Sequence, residues 1–80
     1  MEDIDRRYVD DSILKYFSNE NISNYTTRFL AEQVYLEFRG RLNGGRRKSG
    51  KSELSDCDIV NFLQTFEKCS LINLLNPRSI

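Results

Sequence analysis

Residues 24–42, NYTTRFLAEQVYLEFRGRL, hold no Pro and a single late Gly, Gly40. Wound as a helix, these residues would run roughly 28 Å. At 100° per residue the apolar side chains fall into two stripes. Tyr25, Phe29 and Leu36, with Ile22 just ahead of them, gather on one side. Leu30, Val34, Phe38 and Leu42, with Ala31 and Tyr35 at the margin, lie on roughly the other. Arg28, Glu32 and Arg39 separate the stripes along one edge; Thr26, Gln33 and Glu37 do so along the other. A surface helix needs only one apolar stripe. A helix with two must be covered from both sides, which is demanding for a chain of 80 residues.

The neighbouring segments predict shorter helices. Val9, Ile13, Tyr16 and Phe17 form one narrow stripe over two to three turns. Asn19, Glu20, Asn21 and Ser23 break that pattern, and Ser23 or Asn24 can cap the long helix. Asn43-Gly44-Gly45 predicts its end, between Leu42 and Gly45, with a basic loop after it. Ser55 with Asp58 three residues on predicts a capped start for a last helix, and Leu54 with Ile59 fits a hydrophobic staple across that start. Ile59, Phe62, Leu63 and Phe66 make its stripe; Leu71, Ile72, Leu74 and Leu75 extend the apolar run until Pro77. No strand-like alternation appears. The expectation is an all-α domain of short, long and short helices over residues 9–75, with polar tails at 1–8 and 76–80.

An 80-residue monomer buries only about 60% of its unfolded surface and is marginal alone. The two stripes therefore have two readings, a self-contained three-helix core or a core shared with a second chain. The shared core is favoured, because two short helices cannot cover two opposed faces. On that reading Tyr25, Phe29, Leu30, Val34, Phe38, Leu42, Ile59, Phe62, Leu63 and Phe66 are the partner interface. The tips of Tyr25 and Tyr35 need hydrogen bonds there.

Formal charge is zero overall but segregated. Residues 1–38 carry −4, residues 39–51 carry +6 from six bases and no acid, and residues 52–80 carry −2. Such a cluster can attract an anionic partner. Arg39, Arg41, Arg46, Arg47, Lys48 and Lys51 are the candidate phosphate contacts, each steepening salt dependence by about 0.9 in log–log slope. No aromatic is interleaved with them, so duplex backbone suits the cluster better than stacked single-strand bases. A solvated loop or a nuclear import signal are the plainer readings of the same residues.

Residues 45–52, GRRKSGKS, also satisfy the phosphate-loop pattern G-x-x-x-x-G-K-[ST]. That motif needs a buried strand before it and a helix opening at its lysine. Neither is expected here, so nucleotide binding is disfavoured. No His is present, which leaves Cys57 and Cys69 without an activating base. Catalytic residues, metal ligands and cofactors are not expected, nor is a small-molecule substrate. The opening MEDIDRRYVDD is too acidic and polar for a secretory signal, and no apolar run approaches the length of a membrane span. Two thiols suit a reducing compartment, in which case the sequons at Asn21 and Asn24 are accidental.

A long helix apolar on two sides between two short ones is the plan of a histone fold. The stretches SILKYFSNENISNYTTRFLAEQVYLEFRGRL and LSDCDIVNFLQTFEKCSLINLL resemble the centromere protein X family, over about residues 9–75. Ile22-Ser23 opening the long helix, Leu54 with Asp58-Ile59 opening the last, and the Leu71–Leu75 tail carry the likeness. Asn43-Gly44-Gly45 departs from a more helical run in the family. The resemblance implies pairing with a centromere protein S-like histone-fold chain, and two such pairs joining as a dimer of dimers. It also implies binding of double-stranded DNA without sequence specificity, in the nucleus. Support of a FANCM-type helicase in DNA repair and fork processing, or a place in the inner kinetochore, would follow. A histone-fold subunit of a transcription or chromatin complex that never touches DNA is the alternative.

Overall fold

A computed structural model describes residues 3–18 and 25–69. These residues are all-helical, with no strand among them. The order is α1 (Asp3–Arg6), α2 (Asp11–Phe17), α3 (Tyr25–Lys48) and α4 (Asp56–Gln64). The expected caps at Ser23 or Asn24, the position Ile22 and the apolar run at 71–75 lie outside the described residues.

The segment expected as a polar tail is folded onto the molecule. Asp5, on the single turn α1, is buried, and Tyr8 packs against the core. Asp10 then caps α2: its carboxylate accepts from the Ile13 amide at 3.0 Å and from the Ser12 hydroxyl at 2.6 Å. Those two donors, the hydroxyl first, hold the Asp10 pKa below its usual value. Of the expected α2 stripe, Phe17 is fully buried and Ile13 lines the core, while Tyr16 is exposed and Leu14 takes its place.

Helix α3 is longer than expected, 24 residues or about 36 Å. It passes through Asn43-Gly44-Gly45 and stops at Gly50, where φ reaches +77°. The Gly50 amide donates to the Arg47 carbonyl at 3.0 Å, and the Lys51 amide to the Arg46 carbonyl at 2.8 Å. This is a Schellman termination. Tertiary contacts hold the last turns helical despite their glycines. The Asn43 side-chain amide donates to the Leu54 carbonyl at 3.2 Å, and its oxygen accepts from the Leu54 amide at 2.8 Å. Asn43 thus acts as a clamp on the connection to α4, where sequence reading makes it a helix stop.

Helix α4 opens as expected. The Ser55 hydroxyl caps the Asp58 amide at 3.2 Å. Ile59 is buried and Leu54 packs against the core, as a staple requires. Cys69 lies beyond the end of α4 and is buried; Cys57, on α4, is exposed. Burial pushes the Cys69 thiol up to about 12.

One cluster holds the helices together: Phe17, Ala31, Tyr35, Phe38, Leu42, Ile59, Val60, Phe62, Leu63 and Cys69. Phe17 meets Tyr35 edge-on at 6.3 Å between centroids, and Phe62 meets Phe66 at 5.5 Å. Phe38, Leu42, Ile59, Phe62 and Leu63, all assigned to a partner interface, are thus buried within this chain; Phe66 and Val34 pack at its margin. The reason is angular. Ala31, Tyr35, Phe38 and Leu42 repeat every three or four residues and form a single seam, which α2 and α4 suffice to cover.

Candidate nucleic-acid interface

The six bases of residues 39–51 do not share one surface. Four of them are paired with acids elsewhere in the chain. Arg39 donates to Asp56 at 3.0 Å across the α3–α4 junction. Arg41 pairs with Glu37 one turn back at 2.5 Å. Arg47 reaches Glu53 at 2.7 Å. Arg46 is the exception in kind, because its partner is the buried Asp5 at 2.9 Å. Lys48 and Lys51 are exposed.

The sequence pattern puts Arg46 on a phosphate-facing loop. In the structure it sits in the last turn of α3 and is 7% exposed. One nitrogen, Nη1, donates to both Asp5 oxygens, at 2.9 and 3.1 Å, while Nε donates to the Ser52 carbonyl at 2.8 Å. Asp5 is 1% exposed. A buried charge pair needs such hydrogen bonds to offset desolvation. Asp5 lies 41 residues from Arg46, and no local pattern links them. An isolated acid on an otherwise weak first turn gave no signal of burial.

Next to this pair, Gly45 makes room for Tyr8. A Cβ at Gly45 would lie within 2.7 Å of the Tyr8 ring Cζ. Arg6 completes the docking of the N-terminal segment, its guanidinium 5.7 Å from the centroid of the Phe66 ring. The segment thus touches the end of α3 and the stretch after α4 together.

Arg39 belongs to a second network. The Tyr35 hydroxyl donates to Asp56 at 2.5 Å, and Arg39 donates to the same carboxylate. The Tyr35 donor first, and Arg39 second, hold the Asp56 pKa below the usual carboxylate range. Burial, then the bond to Asp56, pushes the Tyr35 pKa up, so the hydroxyl stays a donor. The Asp56 bond holds Arg39 charged. Arg39 and Asp56, together with Asn43, Arg47, Glu53 and Ser55, line a shallow groove between α3 and the start of α4. Arginines and carboxylates alternate along it, which leaves little net positive charge.

Exposed ion pairs are worth only about 0–1 kcal/mol. Arg41 and Arg47, whose side chains are mostly exposed, can therefore exchange a carboxylate for a phosphate at small cost. With Lys48 and Lys51 they are the accessible cations of the cluster. The residues 45–52 match to a phosphate loop does not carry over into geometry: Gly45 to Lys48 are helical, and α4 opens at Asp56, five residues after Lys51.

The other surface feature is apolar. Tyr25 is 85% exposed, Phe29 51%, Leu30 48% and Leu36 46%. All four lie on the first half of α3, and Tyr25, Phe29 and Leu36 share the stripe pointing away from the seam. Leu36 belongs with the expected interface residues on this stripe. Among the described residues no three His, Cys, Asp or Glu are grouped to hold a metal ion, and no helix is long and apolar enough to cross a membrane. No protein-family model, curated protein or solved structure matches the chain.

Proposed function

We propose that the chain is a non-catalytic, histone-fold type subunit that completes its hydrophobic interior against a second helical chain. The exposure of Tyr25, Phe29, Leu30 and Leu36 on one helix carries this reading. Four large apolar side chains along about 17 Å of helix exceed the scattered single exposures usual on a monomer. The resemblance to the centromere protein X family supplies the partner class, a centromere protein S-like histone-fold chain, with two pairs forming a dimer of dimers. Double-stranded DNA, bound through Arg41, Arg47, Lys48 and Lys51, is the ligand of the assembled complex. In the nucleus that complex would serve a FANCM-type helicase in repair, or the inner kinetochore.

Co-expression with a centromere protein S-like chain tests the pairing. A soluble particle with the mass of both chains is expected, and Phe29→Ser or Leu36→Ser should abolish it. Both residues are exposed in the isolated chain, so its own helix content should persist. Pairing that survives both substitutions would overturn the interface. For DNA, neutralising Arg47, Lys48 and Lys51 should flatten the log–log salt slope by about 2.7 if all three meet phosphates.

A second reading, an interaction subunit that never contacts DNA, draws on the intramolecular pairing of Arg39, Arg41, Arg46 and Arg47. An unchanged salt slope in the neutralised variant would favour it.

A further inference from the structure

We infer that the N-terminal segment is a built-in competitor for the DNA phosphate, with the Asp5 carboxylate occupying an anion site on Arg46. The inference rests on the DNA reading above and concerns regulation of that same surface.

The geometry of Arg46 separates into an anchored part and an exchangeable part. Nε is fixed to the Ser52 carbonyl of its own connection, which orients the guanidinium plane. Nη1 is directed at the two Asp5 oxygens. A phosphate presents the same paired oxygens to a guanidinium as a carboxylate does. The site is therefore preformed for an oxyanion, and a side chain of the same molecule fills it.

The competitor can leave as a unit. Asp5 sits on α1, a helix of only four residues, too short to stand alone. Two bonds from the Tyr8 and Val9 amides, to the Asp5 and Arg6 carbonyls and each 3.2 Å long, close its end. Its outer holds are the Tyr8 ring over Gly45 and the Arg6 guanidinium over Phe66. Departure of residues 3–8 would uncover Gly45 and expose Arg46 beside Arg47, Lys48 and Lys51 on one helix end. The chain with its segment docked binds duplex through the outer cations alone; with the segment released it gains a deeper, pre-oriented contact.

The test compares the co-expressed complex of the original chain with complexes carrying Asp5→Asn and Asp5→Asn/Arg46→Gln, titrating a 20-base-pair duplex over a range of salt. Asn keeps the size of Asp and can still accept a hydrogen bond, but it removes the competing charge. Asp5→Asn is expected to bind several-fold tighter, with a slope steeper by about 0.9, and the double variant to lose both gains. Asp5→Asn binding no tighter than the original chain, or a gain that survives Arg46→Gln, overturns the inference. If the original chain shows a salt-dependent slope while Asp5→Asn adds nothing, the competitor fails and the DNA reading stands. If neither binds duplex, both fall.

Should Asp5→Asn not fold, hydrogen exchange on the unmodified chain decides. Saturating duplex is expected to lower protection of the Tyr8 and Val9 amides while α4 stays protected. Unchanged protection at Tyr8 and Val9 with duplex bound overturns the inference.

Discussion

A methyl group added at Gly45 would press into the Tyr8 ring, whereas one added at Gly40 would meet nothing within 4 Å. Both glycines lie inside α3, where Ala is favoured over Gly by about 0.5–1 kcal/mol. Gly40→Ala should therefore raise the melting temperature by a few degrees. Gly45→Ala should not, because its helix gain is offset by displacing Tyr8; thermal melts of the two variants check the contrast. The arginines differ in the same way. Arg46→Met would leave the Asp5 carboxylate buried without its cation, at a cost of about 3–5 kcal/mol. Arg47→Ala, at an exposed pair, should cost no more than about 1 kcal/mol. Denaturant unfolding of both variants measures the difference, and equal small losses would mean the Asp5 pair is solvated. The thiols make a third contrast. With Cys69 buried and its pKa pushed up to about 12, iodoacetamide at pH 8 should label Cys57 alone.

The ends of the helices and the tie between α3 and α4 set stability at the next scale. Ser55→Ala removes the acceptor of the Asp58 amide and should cost about 1 kcal/mol. Tyr35 and Asp56 make the α3–α4 tie pH-dependent at both extremes. The folded pKa of Asp56 is depressed, so its contribution is present above the unfolded value of about 3.9 and is lost as pH falls through the lower folded value. The folded pKa of Tyr35 is raised, so its contribution is full below about pH 10 and is lost as pH rises through the folded value. Asp56→Asn should flatten the acid limb of a stability–pH curve, and Tyr35→Phe the alkaline limb. Unaltered limbs would mean the bond is absent in solution. Helix α3 shows how a tertiary clamp overrides local preference. Asn43 has the composition of a stop, yet its amide pairs with both backbone groups of Leu54 and the helix continues to Lys48.

At the scale of the molecule, the chain closes one hydrophobic seam and leaves a second surface open. Phe38, fully inside the closed seam, should cost about 3–5 kcal/mol as Phe38→Ala even in the isolated chain. A loss below 1 kcal/mol by denaturant unfolding would mean that the seam opens in solution. The helical class, the Ser55 cap with its Leu54–Ile59 staple, and the amphipathic faces of α3 and α4 were legible in the amino-acid order. Each depends on residues within a turn or two of one another, where side-chain spacing and capping chemistry act directly. The division of labour between the two stripes of α3 was not legible. Periodicity gives a residue its angle on the helix, but not which neighbouring helix arrives there, so Phe38 and Leu42 could not be told from Phe29 as interface. Nor could the basic cluster be read as largely neutralised, since Asp5, Glu53 and Asp56 meet their arginines only after the chain folds back. Charges and apolar faces are properties of the sequence; their partners, and hence what remains exposed to bind something else, come from contacts as much as 41 residues apart.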